Sequence, residues 1–173
     1  MLRAVNLPRS GKVAMTDLRR ALGALGFADV VTLLQSGNVV FRGGRGTTAA
    51  LEGRLEAGAQ ARLVLTTEFF ARTAAEWHDI VARNPFAAAA KDDPSHLVVL
   101  LLKHPTGPAQ VKRLQAAITG PEQVRGSGSH VYMTYPAGIG TSKVTNAVIE
   151  RHLGARVTGR NWNTVLKLDA LVH

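Results

Sequence analysis

The chain has 173 residues, of which 46% are hydrophobic, which is enough for one good core or two small ones. It has no cysteine, and this excludes disulfides and thiolate metal sites. No apolar run approaches the roughly 20 residues of a membrane-spanning helix. Residues 1–10 contain no apolar signal core. We therefore expect a cytoplasmic protein with no membrane partner.

The formal net charge is +9, and the excess lies in two segments. Residues 1–20 carry a net charge of +4 and residues 125–168 a net charge of +5, whereas the rest of the chain is balanced. If the two segments meet in space, they form one basic surface suited to a nucleic acid or a phosphorylated metabolite. If they do not, the charge serves only solubility.

The first half of the chain predicts the element order β-α-β-β-α-β. Thr16 is expected to cap a helix, and the turn at 35–38 (QSGN) between two apolar runs predicts a hairpin. The predicted elements are a strand at 2–7, a helix at 16–25, strands at 29–34 and 39–41, a helix at 47–55 and a strand at 63–70. This is the order of the ferredoxin-like α/β plait.

The second half predicts the same order after a connecting segment. A capping box at Thr73 and Glu76 predicts a helix, and the residues from 87 to 94 are interpreted as a connector. The apolar run at 96–102 predicts a strand buried on both faces. The remaining predicted elements are a helix at 108–118, a weak strand near Val124, a hairpin turn at 126–128, a strand at 129–135, a helix at 143–152, a strand at 155–157 and a last helix.

These patterns predict an α+β fold of two tandem ferredoxin-like (βαββαβ) subdomains with an extra C-terminal helix. The first subdomain would span residues 1–72 and the second residues 96–173. A connecting helix and linker would occupy residues 73–95.

A Gly-rich turn near the end of the chain is the leading candidate for a ligand site. Gly138 and Gly140 allow a positive φ or a close approach of the backbone to a ligand. Thr141 and Ser142 are expected to cap the helix that follows, whose exposed N–H groups would form an anion site with Lys143. A capped turn with a solvated lysine explains these residues equally well. The spacing is neither that of a Walker loop nor that of a dinucleotide-binding turn.

Polar residues around the start of the last helix form a second candidate group. Asn161 and Asn163 are explained by helix capping, and Trp162 by burial. Neither capping nor burial explains Arg160, which lies close to the end of a predicted strand. Arg160 and Lys167 would join Arg3 and Lys143 in supplying positive charge.

No motif identifies a reaction. The six histidines show no metal-ligand spacing, and no G-x-S-x-G nucleophile turn is present. We therefore assign no catalytic residue and expect no metal and no cofactor. The sequence does not decide whether the protein is an enzyme, nor what its oligomeric state is.

Several short motifs resemble the bacterial family called domain of unknown function 1697. They are RAVN at 3–6, QSGNVVF at 35–41, NPF at 84–86, SK at 142–143 and RNWNT at 160–164. The resemblance covers nearly the whole chain and implies a pair of ferredoxin-like subdomains, but no reaction. The matched positions are Asn6, Gln35, Ser36, Gly37, Asn38, Ser142, Lys143, Arg160, Asn161, Trp162 and Asn163.

The chain departs from the family pattern at its start. The family typically has a longer opening strand and a loop similar to R-G-I-N-V-G-G, whereas this chain has two residues before Arg3 and the loop LPRSG at 7–11. Either the true start lies upstream or the first strand is short.

Three functions are compatible with these residues. The first hypothesis is a binding protein for an anionic ligand, either a nucleic acid or a phosphorylated metabolite. The second is an enzyme whose pocket lies between the subdomains, with the 35–38 turn facing the Gly-rich turn. The third is a structural module. The candidate ligand-binding residues are Arg3, Asn6, Gln35, Ser36, Asn38, Gly138, Gly140, Ser142, Lys143, Arg160, Asn161, Asn163 and Lys167.

Overall fold

A computed structural model describes residues 1–3, 14–33, 37–44 and 46–172. The fold is mixed α+β, as predicted, with two small sheets and seven α-helices in the described part of the chain. The chain divides into two compact units, one formed by Met1–Ala74 with Leu171–His173 and the other by Ala75–Ala170. None of the described helices combines the length and the apolar character needed to cross a membrane.

The first unit contains two helices and a two-stranded antiparallel sheet. Its elements are α1 (Met15–Ala24), β1 (Ala28–Leu33), β2 (Asn38–Arg42) and α2 (Thr48–Leu63). Thr32 pairs with Val39 in the sheet. Apolar side chains spaced one turn apart on both helices form the core, together with apolar residues near both ends of the unit: Leu2, Leu18, Leu22, Phe27, Leu55, Ala59, Leu65 and Phe69.

Two predictions in the first unit were wrong. Thr16 lies inside α1, whose N-cap is Ala14. The strand predicted at 63–70 is reduced to an isolated antiparallel bridge between Leu2 and Phe69, because α2 continues to Leu63 and ends at Val64 in the left-handed conformation. Most of the predicted opening strand (2–7) and half of the predicted turn (35–38) lie outside the described residues, because residues 4–13 and 34–36 are not described.

The second unit is built around a three-stranded sheet with the order β4-β3-β5. Both pairings are antiparallel, and β3 is central. Residues 97–102 of β3 are all buried, which confirms the prediction of a strand covered on both faces. The elements are α3 (Ala74–Ala82), α4 (Ala87–Asp92), β3 (Leu97–Thr106), α5 (Pro108–Ala117), β4 (Gln123–Thr134), a 3-10 turn (Ile139–Thr141), α6 (Asn146–Leu153), β5 (Val157–Asn161) and α7 (Trp162–Asp169).

The two faces of this sheet are covered by different helices. On one face, Leu100 and Met133 belong to a buried cluster with Leu114 of α5 and Ile149 of α6. The opposite face contacts α3, where the hydroxyl of the buried Tyr132 donates to the Ile80 carbonyl over 2.7 Å. The segment predicted as a connector at 87–94 instead forms α4, because a run of alanines has the highest helix propensity.

Strand β4 doubles back on itself. A straight strand would separate Gln123 from Thr134 by roughly 36 Å at about 3.3 Å per residue. The Gln123 N–H instead donates to Thr134 Oγ1 over 3.3 Å, and a Cβ on Gly126 would lie 3.2 Å from the Val131 Cα. The same pairing places Gly128, whose φ is 81°, at the turn. A hairpin at the predicted position therefore joins two arms of β4.

Helix α6 begins later than the sequence indicated. The predicted caps Thr141 and Ser142 precede it, but the N-cap is Thr145, whose Oγ1 accepts the Val148 N–H over 3.4 Å. Gly154 ends the helix with a φ of 71°, as predicted.

Candidate functional site

A cavity of about 340 Å³ lies within the second unit. Its walls are the segment from the end of α5 to the start of β4 (117–122), the loop after β4 (137–144) and one face of α6. The helices α5 and α6 contact each other and the sheet, so the segments that line the cavity are held by packed secondary structure.

Glu122 is the acidic side chain of the cavity lining, and it is only 6% exposed. Its backbone is held by Gln115 of α5, whose Nε2 donates to the Glu122 carbonyl over 3.3 Å and whose Oε1 accepts the Val124 N–H over 2.8 Å. Its carboxylate Oε1 accepts a hydrogen bond from Ser142 Oγ. A carboxylate is therefore fixed at the cavity wall from two sides.

Two buried polar atoms that belong to residues of the cavity lining lack a hydrogen-bond partner within the described residues. They are Glu122 Oε2 and Nε2 of His152, which is half-buried on α6. Leaving a buried donor or acceptor unpaired costs about 1–3 kcal/mol, and more for a charged group. The two atoms thus mark the cavity as a place where polar groups of a ligand would be stabilised.

Tyr135 lies close enough to Glu122 for the charge of the carboxylate to affect the pKa of the tyrosine. Burial, and secondarily the negative charge of Glu122, raise the pKa of Tyr135 to about 12. Its phenol is therefore neutral at physiological pH. Its N–H donates to the His96 carbonyl over 2.8 Å, which anchors the chain where it leaves β4 for the loop.

The exposed cationic side chains of the cavity lining are Lys143, from the loop, and Arg151, from α6. The lining therefore combines a buried carboxylate with two solvent-facing positive charges. Among the described residues, no group of three His, Asp or Glu side chains is arranged to hold a metal ion.

Of the predicted ligand-binding residues, the structure brings Ser142 and Lys143 into this cavity. Gly138 and Gly140 lie in the same loop, where Gly138 has a φ of 92°. The N–H of Gly138 donates to the Tyr135 carbonyl and that of Ser142 to the Ile139 carbonyl. These two N–H groups already have backbone acceptors, so fewer backbone donors than predicted could bind an anion.

The predicted residues around β5 and α7 lie outside the cavity lining. Arg160 is buried, and its Nη1 donates to Thr158 Oγ1 over 3.1 Å and to the Gly159 carbonyl over 2.7 Å. Burial lowers the pKa of Arg160 to about 10. Asn161 caps α7, Asn163 donates to Ser95 Oγ over 3.2 Å, and Lys167 is exposed on α7.

In the first unit, the described candidates make structural contacts. Arg3 forms a 2.8 Å ion pair with Glu68, and the buried Asn38 donates to the Leu33 carbonyl across the hairpin. Asn6, Gln35 and Ser36 lie outside the described residues. The enzyme hypothesis with a pocket between the subdomains stays a prediction.

Comparisons with known proteins address the family and the fold. The profile of a family described as "Protein of unknown function (DUF1697)" matches residues 1–132. The chain belongs to this family. The conserved bacterial protein SP0830 from Streptococcus pneumoniae has a similar structure, with a TM-score of 0.68 and 17% sequence identity over 100% of this chain and 96% of that chain. At this identity the likeness concerns the fold alone. No curated protein matches the chain.

The lining of the cavity in this DUF1697 chain contains three ionisable residues that the sequence patterns did not single out as ligand-binding: Glu122, Arg151 and His152. Glu122 follows a Gly-Pro turn and resembles a solvated loop carboxylate, because its burial depends on Ser142, twenty positions later. Arg151 and His152 lie in the helix predicted at 143–152, and the sequence assigned neither to the ligand site. The sequence did not indicate which face of this helix would line a cavity.

Proposed function

We propose that the second unit binds a small phosphorylated metabolite in the cavity between α5, the loop after β4 and α6. The observation that carries the proposal is the pairing of a concave site with two exposed cations, Lys143 and Arg151, in its lining. The volume of about 340 Å³ falls in the range of small-molecule sites, about 300–1,000 Å³. A phosphate group at the rim would be stabilised by both charges.

A metabolite is favoured over a nucleic acid for two reasons. The two cations line a concave pocket within one unit, whereas a polyanion requires an extended groove that follows its backbone. Aromatic residues make up only 5% of the chain, which leaves little material for stacking bases.

The proposal predicts that reversing the two cavity cations removes binding. The K143E/R151E double variant should bind a phosphate ester such as glycerol 3-phosphate at least about tenfold more weakly than the wild type, since hydrogen bonds to charged groups contribute about 1.5–3 kcal/mol each. Isothermal titration calorimetry at low salt measures the effect.

The matched control is K167E, which changes the charge of an exposed lysine on α7 outside the cavity lining. It should leave ester affinity unchanged. Equal losses in K167E and K143E/R151E, together with salt-sensitive binding of a labelled single-stranded RNA, would favour a diffuse basic surface and contradict the cavity.

We also propose that the second unit has the ferredoxin-like arrangement. The two arms of β4 would form an antiparallel sheet with β3 and β5, in which β3, the first strand of the unit, is an interior strand. Helices α5 and α6 cover one face of this sheet. Backbone NOEs between Gly126 and Val131 are expected; their absence would contradict the hairpin. The same arrangement in the first unit stays a prediction.

A further inference from the structure

We infer that Glu122 selects hydroxyl groups of the ligand, so that the cavity takes phosphorylated polyols or sugars in preference to other phosphate esters. This inference rests on the proposed function, because it identifies the substrate class of the same cavity. It starts from Glu122, a residue of the cavity lining, whose buried carboxylate oxygen Oε2 has no hydrogen-bond partner within the described residues.

The carboxylate is held where it is. A Cβ on Gly120 would lie 2.2 Å from Glu122 Oε2, so the oxygen occupies space that any other residue would fill at position 120. On the other side, Ser142 Oγ donates to Oε1 and accepts the Val144 N–H over 3.1 Å. The single hydroxyl proton of Ser142 is thus committed to Glu122. Ser142 therefore positions the carboxylate and does not donate to a phosphate.

A carboxylate fixed in this way needs a donor from the ligand. An ionised carboxylate accepts hydrogen bonds and donates none, so its partner must be an N–H or an O–H group. Lys143 and Arg151 in the same lining disfavour a further positive charge, and this argues against an ammonium group. A neutral hydroxyl is free of that penalty.

The second unpartnered atom also fits a hydroxyl. His152 also lines the cavity, and its buried Nε2 has no hydrogen-bond partner in the described chain. A hydroxyl group both donates and accepts, so it can pair with either tautomer of an imidazole. Two polar atoms from segments thirty residues apart, each suited to a hydroxyl, indicate a ligand with more than one such group.

The test uses two phosphate esters that differ only in hydroxyl groups, racemic glycerol 3-phosphate and propyl phosphate. Calorimetric titration of the wild-type chain should show about tenfold tighter binding of glycerol 3-phosphate, the effect of one hydrogen bond to a charged acceptor. In E122Q, an amide replaces the carboxylate with the same shape. The preference should fall below about twofold, while the affinity for propyl phosphate should stay the same.

G120A provides a second, independent variant. Its methyl group would occupy the position of Oε2 and displace the carboxylate, so the preference for glycerol 3-phosphate should fall as in E122Q. Circular dichroism verifies that each variant is folded. The control E76Q removes an exposed carboxylate outside the cavity lining and should keep the tenfold preference.

The outcomes separate this inference from the proposed function. If both esters bind equally and K143E/R151E weakens both, the cavity binds phosphate esters but Glu122 does not select hydroxyls, and a bound water satisfies Oε2; the inference is then overturned. If E122Q and G120A keep the wild-type preference, it is overturned as well. If neither ester binds the wild-type chain, both the inference and the proposed function fail.

Discussion

Replacing Arg160 by Glu is expected to lower the free energy of unfolding by about 3–5 kcal/mol, the usual cost of a buried charge that loses its partners. Arg160 is 9% exposed in β5, beside the central strand. Its guanidinium donates to Thr158 Oγ1 and to the Gly159 carbonyl. A carboxylate at this position would direct oxygen against the Gly159 oxygen and would bury a negative charge. Urea-induced unfolding monitored by circular dichroism measures the change.

The matched control is K143E, the same charge reversal at an exposed position outside the helices and strands. It should change the free energy of unfolding by no more than about 0.5 kcal/mol. R160M separates the effect of charge from the effect of volume, because methionine keeps the apolar stem and places no acceptor beside the Gly159 oxygen. R160M should cost less than R160E; equal costs would show that packing, and not charge, governs this position.

The burial of Arg160 affects the interpretation of binding experiments on its variants. The sequence placed Arg160 and Lys143 together as ligand-binding cations. The structure separates them, with Arg160 buried in the sheet and Lys143 exposed in the cavity lining. A loss of ligand binding in R160E would report unfolding, whereas the same loss in K143E would report the cavity.

Local patterns predicted the elements that depend on local physics. The apolar run at 96–102 became the buried part of β3, Pro108 begins α5, and Gly154 ends α6. The misplaced elements have different causes, which are competition between neighbouring caps for α6 and a high helix propensity for α4. Thr145 caps α6 in place of Thr141, and the alanines after Phe86 form α4 where a connector was predicted.

The candidate site was only partly accessible from sequence because it depends on tertiary packing. Ser142 and Lys143 were found from the composition of their turn. Glu122 was not, since nothing in its neighbourhood shows that Ser142 and Gly120 will bury it. Conversely, Asn161 and Asn38 were candidates because they match the family motifs, and the structure assigns both to backbone contacts. Asn161 caps α7, as its capping interpretation predicted, and Asn38 contacts the Leu33 carbonyl across the hairpin.

Shortening Ile149 to Ala is expected to lower the free energy of unfolding by about 3 kcal/mol. Ile149 is 1% exposed on α6 and belongs to the cluster that joins this helix to α5 and the sheet. Removing three buried carbon atoms forfeits their transfer free energy and leaves a void that the packed surroundings cannot fully close. Thermal and urea-induced unfolding measure the loss.

The matched control is I139A, which makes the same chemical change at a side chain that is 48% exposed in the loop before α6. Its cost should stay within about 0.5 kcal/mol, because the side chain is half in water before and after the change. Equal costs at the two positions would contradict the packing of α6 against the sheet. Because α6 carries Arg151 and His152, a folded I149A variant should also bind glycerol 3-phosphate more weakly than the wild type.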